Sequence, residues 1–420
     1  MAGASPTAAA IDAVWRIEAP RLIAALTRLV HDLAIAEDLA QDALVAALET
    51  WPASGVPDRP GAWLMATARH RAIDLFRRND RLRDRHEQLA RDLSLQLAMG
   101  RSDLDAATLD DVPDDLLGLL FMTCHPVLSR EARVALTLRL LGGLTTSEIA
   151  RAFLVPEPTV AQRIVRAKRT LTAARAAFEV PDPPERAQRL TSVLDVVYLI
   201  FNEGYAASAG DDWMRPALCE DALRLGRVLA GLVSREPEVQ GLVALMEIQA
   251  SRTPARTAAD GSPVLLPDQD RTRWDRVLLA RGLVALDRAQ RLGVPAGPFR
   301  LQAEIAACHA RAATAADTDW VRIAALYEAL ARRAPSPVVE LNRAVALGMA
   351  FGPAVGLDHV DRLAAEPALA RYHLLPSVRG DLLARLGRTD EARAELLRAA
   401  ELTANAREQA LLRARAAGLR

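Results

Sequence analysis

The chain has 420 residues, enough for two or three compact units, and 51% of them are hydrophobic, so each unit has material for its own core. Aromatic residues make up 4% and charged residues 25%, and Ala, Leu, Arg and Glu dominate over Val, Ile and Thr, an alphabet of helix formers that points to an all-α fold. The 53 basic residues balance 53 acidic ones, which excludes a protein that coats nucleic acid through global charge and leaves room for local basic faces.

Cys124, Cys219 and Cys308 lie far apart with no paired spacing, which argues against a disulfide framework or a zinc site and for a reduced, cytoplasmic protein. The N-terminal MAGASPTAAAIDAVW has neither the basic start nor the apolar core of a leader, and no uncharged apolar run approaches the ~18–20 residues of a membrane span. Lys168 is the sole lysine, a bias that reads first as the codon usage of a GC-rich genome.

From about residue 12 to 50, apolar residues recur at three and four positions, as at Leu22, Leu26, Leu29 and Leu33 and then Leu39, Leu44 and Leu48, which predicts a pair of helices. On the second, AEDLAQDALVAALET at 36–50, Asp38, Gln41, Asp42 and Val45 fall on one side, while Leu39, Ala43, Leu44 and Leu48 face a core. The Pro/Gly-rich WPASGVPDRPG at 51–61 predicts a break. Two further helices are expected after it, AWLMATARHRAIDLFRR at 62–78 and, directly following, DRLRDRHEQLARDL. Through 91–115 the apolar periodicity fades, and Asp103, Asp105, Asp110, Asp111, Asp114 and Asp115 make an acidic linker.

Helical patterning resumes with LLGLLFMTCHP and REARVALTLRLLGG, and the prolines at 181, 183 and 184 close this second unit. Within it, residues 145–172 have the pattern of a helix-turn-helix. Thr145 and Glu148 stand at capping-box spacing before a short helix, and the loop LVPEP puts Pro158 in the first turn of the next one. That second helix carries Thr159, Gln162, Arg163, Arg166, Lys168 and Arg169 with no acid among them, so its early residues suit base edges and its later cations suit phosphates.

From 187 to 420 the chain is again helical but without basic clusters. RGDLLARLGRTDEARAELLRAAELTAN has the pattern of a tetratricopeptide hairpin, with Gly380 in the first helix, Gly387 at the turn and Ala392, Leu396 and Ala399 packing the second. Tyr327, Leu330 and Pro335 fit the end of a preceding repeat, and Gly352 falls one period before Gly387. A generic helical array is the alternative. Among the polar clusters FNEGY, PDQDRTRWD and DTDW, Asp268, Asp270, Asp317 and Asp319 offer metal-ligand chemistry and Glu203 a base. No histidine pair or nucleophile accompanies them, and helix capping accounts for most aspartates that precede apolar runs, so neither an enzyme nor a cofactor is expected.

AEDLAQDALVAALETW resembles the polymerase-binding helix of sigma factor region 2, and AWLMATARHRAIDLFRR is similar to the helix of that domain that melts and reads the −10 element. With the helix-turn-helix behind an acidic linker, the order resembles RNA polymerase sigma-70 factors of the extracytoplasmic-function type, in the subclass with a long tetratricopeptide-like tail. The resemblance implies region 2 at 10–90, a linker at 91–115, region 4 at 116–178 and a regulatory extension at 187–420. It implies that Asp38, Gln41, Asp42 and Val45 meet the clamp helices of the largest catalytic subunit of core RNA polymerase, with region 4 near its flap. Trp63, Arg69, Arg71, Phe76, Arg77 and Arg78 would serve −10 promoter DNA; Thr159, Gln162, Arg163, Arg166, Lys168 and Arg169 would serve −35 DNA. His70 departs from the asparagine often found at its position. By the same resemblance the extension controls activity through the core units, a protein or a small ligand. A conventional helix-turn-helix regulator with a ligand-sensing helical domain is the second reading, and it leaves residues 36–78 without a role.

Overall fold

The computed structural model describes residues 6–78, 112–293 and 295–419. Among them are eighteen α-helices, four 3-10 turns and one two-residue parallel strand pair, in agreement with the all-α expectation. The chain divides into two units, Met1–Val196 and Val197–Arg420. The division falls inside helix α8 (Pro183–Tyr205), and the prolines at 183 and 184 open that helix, where a missing N–H costs nothing.

In the first unit, α1 (Pro6–Val30), α2 (Leu33–Ser54) and α3 (Pro60–Arg78) pack on one another. The chain turns at His31, in the left-handed region at φ 56°, and Asp32 caps α2 by accepting from the Ala34 and Ile35 N–H groups at 2.8 and 3.0 Å. α2 continues through Pro52 to Ser54, past the expected break at 51, because Trp51 is fully packed into the core against the edge of Trp63 from α3, the ring centroids 5.2 Å apart. Leu48, expected to face the core, is 48% exposed: the last turns of α2 present Ala47 and Trp51 inward, and Leu48 lies off that stripe. The predicted helix at 80–93 and most of the acidic linker lie outside the described residues.

α4 (Val112–Thr123), α5 (Arg130–Leu140), α6 (Thr146–Phe153) and α7 (Glu157–Ala173) form the other half of this unit. After an acidic first turn at Asp114 and Asp115, α4 is apolar, with Leu117, Leu119, Leu120 and Phe121 buried, and it packs on both α1 and α5. Charge pairs cross between the halves as well: Arg16 with Glu148 at 3.3 Å and Arg28 with Asp115 at 3.5 Å. The start of α8 closes over α4, where Arg189 lies across the Phe121 ring and donates to the Phe121 carbonyl at 3.0 Å.

In the second unit the end of α8 is followed by α9 (Pro216–Leu232), α10 (Pro237–Ala250), α11 (Arg276–Arg291), α12 (Pro298–Arg311) and α13 (Trp320–Arg333). α14 (Pro337–Phe351), α15 (Pro353–Leu363), α16 (Leu374–Arg385), α17 (Thr389–Leu402) and α18 (Ala406–Gly418) complete it. α10 is buried on every side among α9, α11 and α12, and from α13 onward each helix packs mainly on its neighbours in sequence. The hairpin expected at Gly387 is present between α16 and α17, with Gly387 at φ 75° and Ala392, Leu396 and Ala399 buried. α14 and α15 cross at Gly348 and Gly356, where a Cβ on Gly356 would lie 2.8 Å from the Gly348 Cα.

The two ends of this unit meet. β1 (Ala209–Gly210), in the loop after α8, pairs in parallel with β2 (Ala404–Asn405), just before α18. Asn405 is buried and uses its whole amide: Nδ2 donates to the carbonyls of Ala207 and Asp212 at 3.1 and 3.0 Å, and Oδ1 accepts from the Arg407 and Glu408 N–H groups that open α18.

Candidate nucleic-acid interface

The helix-turn-helix is built from local chemistry. The Thr145 hydroxyl accepts from the Glu148 N–H at 3.1 Å while the Glu148 carboxylate accepts from the Thr145 N–H at 2.8 Å, the reciprocal capping box that its spacing predicts. α6 ends at Leu154, held in the left-handed region at φ 51° by N–H bonds back to the carbonyls of Ala150 and Arg151. Pro156 then begins α7, with Pro158 in its first turn. Val160, Ile164, Ala167 and Leu171 bury one stripe of α7 against α5 and α6, leaving the opposite side outward.

Thr159, Gln162, Arg166 and Arg169 lie exposed on that side, and Arg163 is half-buried beside it. A groove of about 350 Å³ runs along this face, lined by Ser129, Thr159, Gln162, Arg163, Arg166 and Thr170. Lys168 does not share the face. At 100° per residue it lies on the far side of α7 from Arg166, and its ammonium pairs with the Glu37 carboxylate of α2.

Glu37 is the centre of this contact and was not singled out from the sequence. It is 4% exposed; its Oε1 also accepts from Arg139 Nε at 2.9 Å and from Gln41 Nε2 at 2.9 Å. The signal for it was a carboxylate on the apolar stripe of α2, in step with Leu33 and Ala40, which requires a partner from elsewhere in the fold. Glu37→Gln is expected to destabilise the first unit by about 2 kcal/mol, below the roughly 3–5 kcal/mol of a fully buried broken pair because the Arg139 and Lys168 side chains keep 24% and 17% exposure. A lowered thermal midpoint of the full chain measures it; an unchanged midpoint contradicts the pairing.

Asp38, Asp42 and Val45 stand exposed along α2 at helical spacing, while Gln41 is half-buried and turned to Glu37. Burial raises the Asp38 carboxyl above its ordinary range, with Glu37, Asp42 and Asp32 adding to it and Lys168 opposing. On α3, Arg71 pairs with Asp42 at 3.4 Å, so one expected DNA contact is tied to one expected polymerase contact. Arg69 is half-buried, and Trp63 is half-buried with its ring against Trp51. The backbones of Phe76, Arg77 and Arg78 close α3; their side chains lie outside the described residues.

Four of the carboxylates singled out in the tail, Glu203, Asp270, Asp317 and Asp319, have structural partners. Asp270 accepts from the Thr272 N–H and hydroxyl, Asp317 from those of Thr314, and Asp319 from the Arg322 N–H at the start of α13. Glu203 is paired with Arg215. Among the described residues, no group of three or more His, Cys, Asp or Glu is arranged to hold a metal ion, and no helix is long and apolar enough to cross a membrane.

A three-helix domain with a charged outer stripe on α2, followed by a capped helix-turn-helix with a cationic outer face, is the arrangement expected of a sigma-type transcription protein. The comparisons agree: residues 15–82 match sigma-70 region 2 and residues 119–171 match sigma-70 region 4. Residues 189–290 match a family of unknown function, DUF6596. An uncharacterized protein of Rhizobium meliloti (strain 1021) is 44% identical over 395 residues, covering 94% of this chain and 92% of its own. No solved structure matches. The chain belongs to the sigma-70 family of RNA polymerase sigma factors and carries a C-terminal extension beyond regions 2 and 4.

Proposed function

We propose that the protein is a sigma factor of the extracytoplasmic-function type that binds core RNA polymerase through α2, reads −10 DNA with α3 and −35 DNA with α7, and is controlled by its extension. The observation that carries this reading is the outward face of α7, where Thr159, Gln162, Arg166 and Arg169 stand exposed on a capped helix-turn-helix. Exposed Asp38, Asp42 and Val45 on α2 support a contact with a basic partner surface. The zero net charge fits a subunit whose DNA affinity comes mainly from the holoenzyme, with this chain adding local basic faces and selectivity. Lys168 is a weaker DNA candidate than its neighbours, because its charge is engaged by Glu37. For the extension, the helical hairpin at Gly387 supports a tetratricopeptide-like array, a type of scaffold that presents a binding surface.

The test is initiation in vitro: core polymerase plus the protein should give transcripts from a specific promoter, while the protein alone footprints that DNA weakly. Transcripts that do not depend on the protein would sink the reading. Tight footprinting without polymerase would favour a conventional helix-turn-helix regulator. Arg163→Ala with Arg166→Ala should lower initiation from −35-dependent promoters by about tenfold or more, since a specific arginine–base interaction is worth about 1–3 kcal/mol. An unaltered promoter preference in runoff assays would remove α7 from −35 recognition.

A further inference from the structure

In the second unit three arginines stack on aromatic rings, Arg256 buried and Arg252 and Arg271 half-buried. Arg256, 5% exposed, stacks with its guanidinium 3.4 Å from the Tyr205 ring centroid and 4.4 Å from that of Trp213, and donates to the Tyr205 carbonyl. Arg252, four residues earlier, lies over the same Tyr205 ring at 5.7 Å, and its Nε is buried with no hydrogen-bond partner. Arg271 lies 4.8 Å from the Trp274 ring and donates to the His309 and Ala312 carbonyls at 2.6 and 2.9 Å. Among the described residues, none of these three guanidiniums forms an ion pair.

The groups lie within one another's field. Burial, with Arg252 and Arg271 adding to it, pushes the His309 imidazole down to about 4, so at neutral pH the ring brings no charge of its own. Burial, with Arg252 adding repulsion, pushes Arg256 down to about 10. Ring faces and carbonyl oxygens stabilise single guanidiniums, but they do not remove the repulsion that Arg252 exerts on Arg256 and Arg271, and they leave the Arg252 Nε–H unmet. One acid, Asp317, attracts Arg271, but it is exposed and its carboxylate holds the Thr314 turn. What would complete the arrangement is an acceptor with several oxygens and negative charge, which the guanidinium fork is shaped to bind.

We propose that Arg252, Arg256 and Arg271 form a binding site in the extension for a small oxyanionic ligand, one presenting phosphate or carboxylate oxygens to the half-buried Arg252 guanidinium. The flanking Tyr205 and Trp213 rings give the site apolar walls. The assignment rests on, and deepens, the reading of the extension as the controlling part. Its test needs no polymerase, so its failure is distinguishable from failure of the initiation assay.

The experiment is thermal unfolding of the full chain during titration with inorganic phosphate and, separately, with succinate, each against sodium chloride at matched ionic strength. A saturable rise in the midpoint in the millimolar range is expected with at least one probe, and which probe acts separates a phosphate from a carboxylate ligand. Arg252→Met should abolish that rise, while its own midpoint without ligand stays equal to or above wild type, because a half-buried charge that repels Arg256 and Arg271 has gone. The proposal is overturned if neither probe gives a saturable rise in wild type. It is equally overturned if Arg252→Met lowers the ligand-free midpoint and keeps the rise, which would make Arg252 a packing residue. Should Arg252→Met fail to fold, Arg271→Met decides: a full rise retained there also refutes the site.

Discussion

Reversing the charge at both Asp38 and Asp42, as Asp38→Arg with Asp42→Arg, is expected to abolish co-elution with core RNA polymerase while the thermal midpoint stays within a few degrees of wild type. Both side chains are exposed on α2, so neither substitution removes a packed group. The Asp42 pair with Arg71 is solvent-facing, with 54% and 39% exposure, a class of ion pair worth about 0–1 kcal/mol. Removing the Asp38 carboxylate gives up its attraction to Lys168 but also relieves its repulsion with Glu37, Asp42 and Asp32. An interface built on complementary charge responds differently, since placing like charges across it costs several kcal/mol and slows encounter as well. Gel filtration of the variant with core enzyme reads the outcome. Retained co-elution makes the α2 stripe a plain solvated face, and a collapsed midpoint makes it part of the fold.

Asn405→Asp is expected to destabilise the extension by about 3 kcal/mol, and by more than Asn405→Ala does. The two residues have the same shape, so packing is unchanged. Aspartate keeps the α18 cap, because Oδ1 still accepts from Arg407 and Glu408. It loses both donations to Ala207 and Asp212 and turns a carboxylate oxygen toward two carbonyl oxygens at a buried position. Alanine loses the same bonds and the cap but adds no repulsion. Denaturant unfolding of the three proteins gives the ranking. If aspartate is as stable as asparagine, the junction of β1 and β2 contributes nothing that matters.

What could be read directly from the sequence was what neighbouring residues decide. Thr145 and Glu148 are three apart, so their capping box needs no information from the rest of the fold; the same holds for the α2 stripe and for Gly387 at its turn. The places where local reading failed are those where a distant partner decides. Lys168 reads as one more cation of a basic helix until Glu37 is placed beside it, and Arg139, 102 residues from Glu37, completes that contact. Leu48 fits the apolar period of α2 but sits past the point where neighbouring helices cover it. Arg252, Arg256 and Arg271 are unremarkable in a chain this rich in arginine, and only the fold stacks them on Tyr205, Trp213 and Trp274. The tail aspartates show the converse, since sequence reading of them as caps needed only their immediate neighbours.

The junction of β1 with β2 also sets an order of events during synthesis. Its two sides are separated by 193 and 198 residues along the chain, measured from Asn405 to Asp212 and Ala207. At about 5–20 residues per second, a ribosome needs roughly 10–40 s to pass from one side to the other. Regions 2 and 4 leave the ribosome before that interval ends, so every newly made molecule spends it with its DNA-reading parts complete and its extension still open. A chain that terminates early, after region 4 but before Asn405, stays in that condition for good.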